Sequence, residues 1–437
     1  MRGNHVRAEG GRSGGRDLGR AVRWTGAAAA VGLLAGGLLA AGYSGGLRGG
    51  TPSAPLVSIG AGGTTLAPGH GIRTASATAS VLDRRPDLGV TVRVTGGRLT
   101  SVRLLGPGGQ AAGGILGPDG ASWHTSWALA PAARYRVTAV AVGRQGTRTV
   151  AAGTFRTLAP QQTFHASTAL GSRTYGVGMP VILNFSSPVT NKAAAERALQ
   201  LWSSKPVTGA WYWMGDQSVW FRPRSYWPAH TSVRFVAHLR GVQAAPGRFG
   251  SADLSQSFRI GDALVARASA ATHVMKVWYD GRLAGSWPVS TGQPGLDTPD
   301  GHYLSFAMGN PVDMNSATFG VMPGDPGYYN VMVHDSVQFT YDGDYVHSAP
   351  WSVAEQGYSN VSHGCVNLSP ADAAWFYGHS LIGDPITIVG SPRRGTWGDG
   401  WTIWFRSWRE LLAGSATGRA VLAGPGGSRL VTPASGR

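Results

Sequence analysis

Short runs in which apolar and polar residues alternate, broken by glycine and proline, constrain this chain more than any other feature. Val90, Val92 and Val94 alternate with Thr91 and Arg93, and Tyr135, Val137 and Ala139 alternate with Arg136 and Thr138. A two-residue period puts successive side chains on opposite faces of a strand, so each run has one face to bury. Gly (66) and Pro (26) supply 92 of the 437 residues. Turn signals such as Pro107-Gly108-Gly109 and Pro118-Asp119-Gly120 separate the runs. The expected fold class is mainly β, with helix only in short pieces.

Residues 56–158 and 159–262 read as two tandem immunoglobulin-like β-sandwiches without disulfides, behind a Gly/Pro/Ser-rich connector at 43–55. The two share landmarks: Trp123 precedes Pro131 at the spacing at which Trp220 precedes Pro228, and an alternating strand follows each pair. The tryptophans are read as packing residues, with carbohydrate stacking by Trp202, Trp211, Trp213 or Trp220 as the alternative. From Ala268 the alternation resumes in Val274, Lys276 and Trp278, and the turn Asp280-Gly281-Arg282 predicts a hairpin. A helical pattern falls only on Ala371 to His379, with Ser369 or Pro370 placed to start it.

The start of the chain reads as an export device. Residues 1–24 carry six arginines against Glu9 and Asp17 and are expected to be a disordered basic tail on the cytoplasmic side. Residues 25–42 carry no charge and are expected to be a transmembrane anchor or a cleaved signal. Both remain open, since Ala40, Ala41 and Gly42 suit signal peptidase; no cysteine follows, which excludes a lipoprotein signal. The expected location is the cell envelope, outside the cytoplasmic membrane.

The net charge of +16 comes almost wholly from arginine, the only lysines being Lys192, Lys205 and Lys276. The arginines are scattered, with no basic helix and no basic run interleaved with aromatics, so nucleic acid is not an expected partner.

Cys365 is the only cysteine. It lies in Ser362-His363-Gly364-Cys365-Val366-Asn367-Leu368-Ser369-Pro370, downstream of Tyr345-Val346-His347-Ser348-Ala349-Pro350-Trp351-Ser352. A thiol is only a few per cent ionised at neutral pH, so a nearby imidazole must take its proton or hold the thiolate by positive charge; His347 and His363 are the candidates. Gly364 permits a sharp turn beside the thiol, where backbone amides can converge on an oxyanion. The bland alternative is a small buried hydrophobe. It is disfavoured because an unpaired cysteine in an exported protein is a hazard unless used. A zinc site built from His334, Asp335, His347, His363 and Cys365 is the chemical rival, but these residues lack a recognisable zinc spacing.

These runs resemble the YkuD-type L,D-transpeptidases, in particular the envelope-anchored actinobacterial subgroup that carries immunoglobulin-like domains before the catalytic one. Supporting blocks are Pro288-Val289-Ser290-Thr291-Gly292, Asp297-Thr298-Pro299-Asp300-Gly301 and Met314-Asn315-Ser316-Ala317-Thr318-Phe319-Gly320. The resemblance implies a β-rich catalytic domain over about 268–390 and no cofactor. It implies Cys365 as nucleophile, His347 as base oriented by the Ser348 carbonyl, and amides near His363, Gly364 and Cys365 as the oxyanion hole. Asn367 would position substrate or brace the loop, and Met314, Trp351 and either Tyr328 or Tyr329 would meet substrate. The stretch 309–335, rich in Gly, Pro, Asp and Asn, reads as a lid over the site, with a plain surface hairpin as the alternative. The implied reaction joins peptidoglycan tetrapeptide stems, donor to acceptor, by a 3→3 crosslink through a cysteine thioester, with carbapenems as covalent inhibitors. Two alternatives stay open: hydrolysis of the same thioester, and a non-catalytic wall-binding protein. Residues 391–414, with Trp397, Trp401, Trp404, Phe405 and Trp408, resemble the subgroup's aromatic C-terminal extension, and 415–437 read as a disordered tail.

Overall fold

The computed structural model describes residues 54–69, 83–325 and 327–431. The expected basic tail (1–24), the membrane segment (25–42) and most of the connector (43–55) lie outside the described residues. Among the described residues no helix is long and apolar enough to cross a membrane. Strands dominate, as alternation and turn chemistry require, and helices are short.

In the first unit a five-stranded sheet and a four-stranded sheet enclose one core. The strand Arg134–Gly143 turns Tyr135, Val137, Ala139 and Ala141 inward, and Val90–Thr95 does the same with its valines. Trp123 joins them in that core. The second unit is built on a ten-stranded sheet whose core holds Trp211, Phe221, Trp227 and Phe235. Trp211 and Trp213 are buried, which removes them as stacking platforms, and Trp220 packs outward against the aromatic C-terminal segment. Trp123 and Trp220 therefore share a spacing without sharing an environment. Trp127 of the first unit stacks on His238 of the second at 3.8 Å.

One expectation is corrected here. The stretch 415–437 is not wholly a tail: Val421–Gly424 and Gly427–Leu430 form a hairpin that inserts into the second unit's sheet. Val421–Gly424 lies between Leu199–Ser203 and Val207–Met214, pairing with both. Val421 and Ala423 are buried in the core, which repays the ordering of the segment, since a fully buried valine side chain is worth about 1.5–3 kcal/mol. The preceding segment is held as well. Ile403 and Leu411 are buried with Ala210, Trp404 Nε1 donates to the Gly178 carbonyl at 2.9 Å, and Phe405 lies 5.1 Å from Tyr303.

The third unit positions the site. A five-stranded sheet holds Arg282–Pro288, Val274–Tyr279, Leu264–Ser269, Pro385–Val389 and Gly301–Leu304 in that order. The hairpin at Asp280-Gly281 forms because both residues take positive φ, which matches the strand twist. A second sheet runs Ala307–Gly309, Ser336–Gln338, Tyr345–Ser348, Val366–Leu368. The helix Pro370–His379 follows at once: Ser369 Oγ accepts from the Asp372 amide, Pro370 fills the first turn, and Ala373 and Phe376 face the core.

Candidate active site

The last two strands of the second sheet run parallel, pairing His347 with Asn367 and Ser348 with Leu368. Cys365 sits one residue before the second of them, so strand register alone brings the His347 and Cys365 runs of the sequence together. A hairpin of Val312–Asn315 and Asn330–Val333 lies over them. The enclosed groove has a volume of about 490 Å³ and is lined by Cys365, His347, His363, Asn367, Met314, Tyr329 and Trp351, among others.

His347 is almost fully buried, and its Nδ1 lies 2.9 Å from the Ser348 carbonyl oxygen. A carbonyl only accepts, so Nδ1 carries the proton and Nε2 is left as an acceptor. Burial pushes the imidazole down to about 4, against the opposing effect of that hydrogen bond. At neutral pH His347 is uncharged.

Cys365 is half-buried. Its Sγ rests on the Gly343–Tyr345 turn, 3.4 Å from the Tyr345 amide and 3.8 Å from the Gly343 carbonyl, and makes no hydrogen bond to either imidazole among the described residues. Burial pushes the thiol up to about 12, the Asp344 charge adds to the rise, and the Tyr345 amide opposes it. Both shifts point the same way, toward an uncharged thiol and an uncharged imidazole.

Asp344 was not singled out by any sequence signal. It is buried, its carboxylate accepts from Thr340 Oγ1 at 2.9 Å, and burial pushes it up to about 6. It also explains Gly364, which has φ of 133°, where side chains are strained. A Cβ there would stand 2.2 Å from Asp344 Oδ1.

The expectation for the Gly364 amide is corrected: it donates to Ser362 Oγ at 3.2 Å. Gly364 shapes the loop, while Thr298 Oγ1 donates to its carbonyl at 2.6 Å and Ser362 Oγ to the Cys365 carbonyl at 2.6 Å. The amides of His363 and Cys365 have no hydrogen-bond acceptor among the described residues. His363 packs against the Tyr329 ring at 5.0 Å.

Of the two tyrosines left open, Tyr329 lines the groove and Tyr328 does not. Trp351 is 55% exposed at the rim, 6.0 Å from the His347 ring. Asn367 is buried; its Nδ2 donates to Ser352 Oγ at 3.0 Å and its Oδ1, closed off from solvent, has no partner among the described residues. The groove also includes Glu355, Ser352, Val331, Val333 and Val361, none of which the sequence pattern marked.

His334 and Asp335, named in the zinc alternative, do not line the groove; both bond to the Asn310 side chain. Among the described residues, the groups near enough to share an ion are His230, Asp262 and Asp280, outside the groove, where the carboxylates lie 3.5 and 3.6 Å from His230 Nε2. A separate groove of about 510 Å³ on the second unit is lined by Arg173, Arg234, Arg259 and Trp202, with no thiol, imidazole or carboxylate among the described residues that line it.

Fold and site together define a β-rich catalytic domain that carries its thiol and imidazole on adjacent parallel strands, behind immunoglobulin-like units. Comparison with known proteins agrees. Residues 264–388 match the L,D-transpeptidase catalytic domain, YkuD, and residues 83–243 match a bacterial Ig domain, a span that runs across both sandwich-like units. L,D-transpeptidase 2 of Mycobacterium tuberculosis is 34% identical over 345 residues, which cover 78% of this chain and 84% of that protein. L,D-transpeptidase 5 of the same species is 31% identical over 365 residues, covering 79% and 77%. The solved structure of LD transpeptidase LdtMt1 in complex with imipenem is 38% identical, covers 51% of this chain and 97% of that one, and has a TM-score of 0.44. This chain belongs to the L,D-transpeptidase family.

Proposed function

We propose that the chain acts outside the cytoplasmic membrane as a peptidoglycan L,D-transpeptidase that forms 3→3 crosslinks through a thioester on Cys365. One observation carries the reading: a buried neutral imidazole, with Nδ1 tied to a backbone carbonyl, opens onto the same groove as the chain's single thiol.

A thiol held near 12 is not ionised at rest, so its proton must leave as the nucleophile attacks, and a neutral His347 is suited to take it. Sγ turns about the Cα–Cβ bond from the Gly343 carbonyl toward the groove, since such bonds tighten when substrate binds. As the S–C bond forms to the carbonyl that joins the diamino acid to the terminal D-alanine, Nε2 of His347 receives the thiol proton. The oxyanion accepts hydrogen bonds from the amides of His363 and Cys365. Collapse breaks the C–N bond, His347 returns the proton to the departing amine, and D-alanine leaves. The side-chain amine of a second stem then attacks the thioester. A new C–N bond forms, the C–S bond breaks, and a proton passes through His347 back to sulfur. The Ser348 carbonyl keeps the imidazole in the tautomer these transfers need.

Met314, Tyr329, Trp351 and Asn367 form the walls against which the stems lie. A carbapenem would be attacked by the same sulfur; its opened ring stays tethered, so the acyl group persists. Residues 25–42 would hold the protein at the membrane, with the immunoglobulin-like units giving it reach into the wall.

The test is product analysis with a tetrapeptide donor, alone and with an acceptor stem. D-alanine release with an acceptor-dependent 3→3 dimer, both lost in Cys365→Ala, is the expected result. Tripeptide as the sole product in both reactions would assign hydrolysis instead.

A further inference from the structure

We propose that Glu355 forms a subsite for the ammonium group of the acceptor. The inference rests on the reading above, in which the second substrate is an amine.

Among the described residues, Glu355 is the only carboxylate lining the groove, and no lysine or arginine lines it. In a chain of net charge +16 that is a negative charge in a cavity with no guanidinium or ammonium side chain in its described lining. The backbone of Glu355 is tightly held: its amide donates to the Ser352 carbonyl at 3.1 Å, and its own carbonyl accepts from the Tyr358 and Ser359 amides at 3.0 and 2.9 Å. Its carboxylate makes no ion pair among the described residues. The side chain is half-buried, so it is neither neutralised by a neighbour nor lost to bulk solvent.

Ser352, which takes the Glu355 amide on its carbonyl, also takes Asn367 Nδ2 on its hydroxyl at 3.0 Å, so the wall that carries Glu355 is braced from behind. An alkylammonium has three donors and no acceptor, and a carboxylate without an ion-pair partner is the acceptor it needs. The same carboxylate repels the terminal carboxylate of a donor stem, so Glu355 also marks which end of the groove the donor's D-alanine avoids.

Glu355 has no covalent part. The bound ammonium gives one proton to water at the groove mouth, and the free amine then attacks the thioester carbonyl. The C–N bond forms, the C–S bond breaks, and the second proton reaches the sulfur through His347.

The experiment compares wild type, Glu355→Gln and Glu355→Asp, scored per site competent to be acylated by a carbapenem. Transpeptidation is followed against the concentration of a diamino-acid stem acceptor, and in parallel with hydroxylamine, which is largely uncharged at neutral pH. Glu355→Gln is expected to raise the acceptor KM about tenfold or more, in line with the loss of one hydrogen bond to a charged group. Hydroxylamine turnover should change by less than about twofold, and Glu355→Asp should recover part of the loss. An unchanged acceptor KM, or equal losses for both nucleophiles, overturns the subsite while leaving the transpeptidase reading intact. A wild-type protein that acylates but forms no product with any amine overturns both.

Discussion

His347 and Asp344 are both buried and respond to acid in opposite directions. The imidazole is held at about 4, below its unfolded value, so it favours the folded state when neutral and that contribution is lost as pH falls from about 6.5 through 4. The Asp344 carboxyl is held at about 6, above its unfolded value, so it favours the folded state when protonated and gains as pH falls through the same range. Both groups are buried, so each contribution is on the order of 3 kcal/mol. In wild type the two largely offset. Asp344→Asn removes one side of the balance, so its melting temperature should fall more steeply than wild type's between pH 6.5 and 4; parallel curves would show that the two groups do not titrate as described. The same substitution removes the negative charge that raises the Cys365 thiol, so thiolate absorbance should appear at lower pH than in wild type. For the histidines, His347→Ala is expected to slow carbapenem acylation by about a hundredfold to ten thousandfold, the usual worth of a general base. His363→Ala, which removes packing against Tyr329 but leaves its backbone amide, should cost far less. Stopped-flow acylation rates rank the two, and the reverse order would move the base to His363.

At the scale of elements, what the sequence disclosed follows the length and regularity of the pattern. The alternation at Val90–Val94 and Tyr135–Ala139 became strands because three successive inward side chains leave no doubt about period. The helix after Cys365 was legible from Ser369, Pro370 and Asp372 as a start signal. The C-terminal hairpin was missed because each strand has four residues, too short for a period, and the Gly424-Pro425-Gly426-Gly427 turn reads equally as linker. Its strand identity comes from the gap it fills between two distant strands of the second unit. Tyr328 and Tyr329 are adjacent, so only the strand register of the overlying hairpin decides which one meets the groove. Asp344 and Glu355 carry no local motif at all; each acquires meaning from the burial or the groove it reaches. A chain ended after Arg419 tests the hairpin's part. With Val421 and Ala423 gone and two strand edges exposed, the second unit should lose about 2–4 kcal/mol and unfold at lower temperature. An unchanged transition would mean that the hairpin only decorates the sheet.

Over the whole molecule, the chain doubles back. It passes through the second unit, builds the catalytic unit, and returns through Trp404 and Phe405 to close the second unit's sheet with its last described strands. Such closure ties the catalytic unit to its neighbour through Gly176 and Gly178, whose amides donate to the Ile382 and Gly383 carbonyls. The groove that holds Cys365 is formed within the catalytic unit, so the chemistry should depend on the other units only through stability and reach. The most direct measurement is intact mass after exposure to a carbapenem. One adduct per chain is expected, on the peptide containing Cys365, formed by wild type and absent in Cys365→Ala. A folded wild-type protein that stays unmodified, or an adduct that survives loss of the thiol, would contradict it.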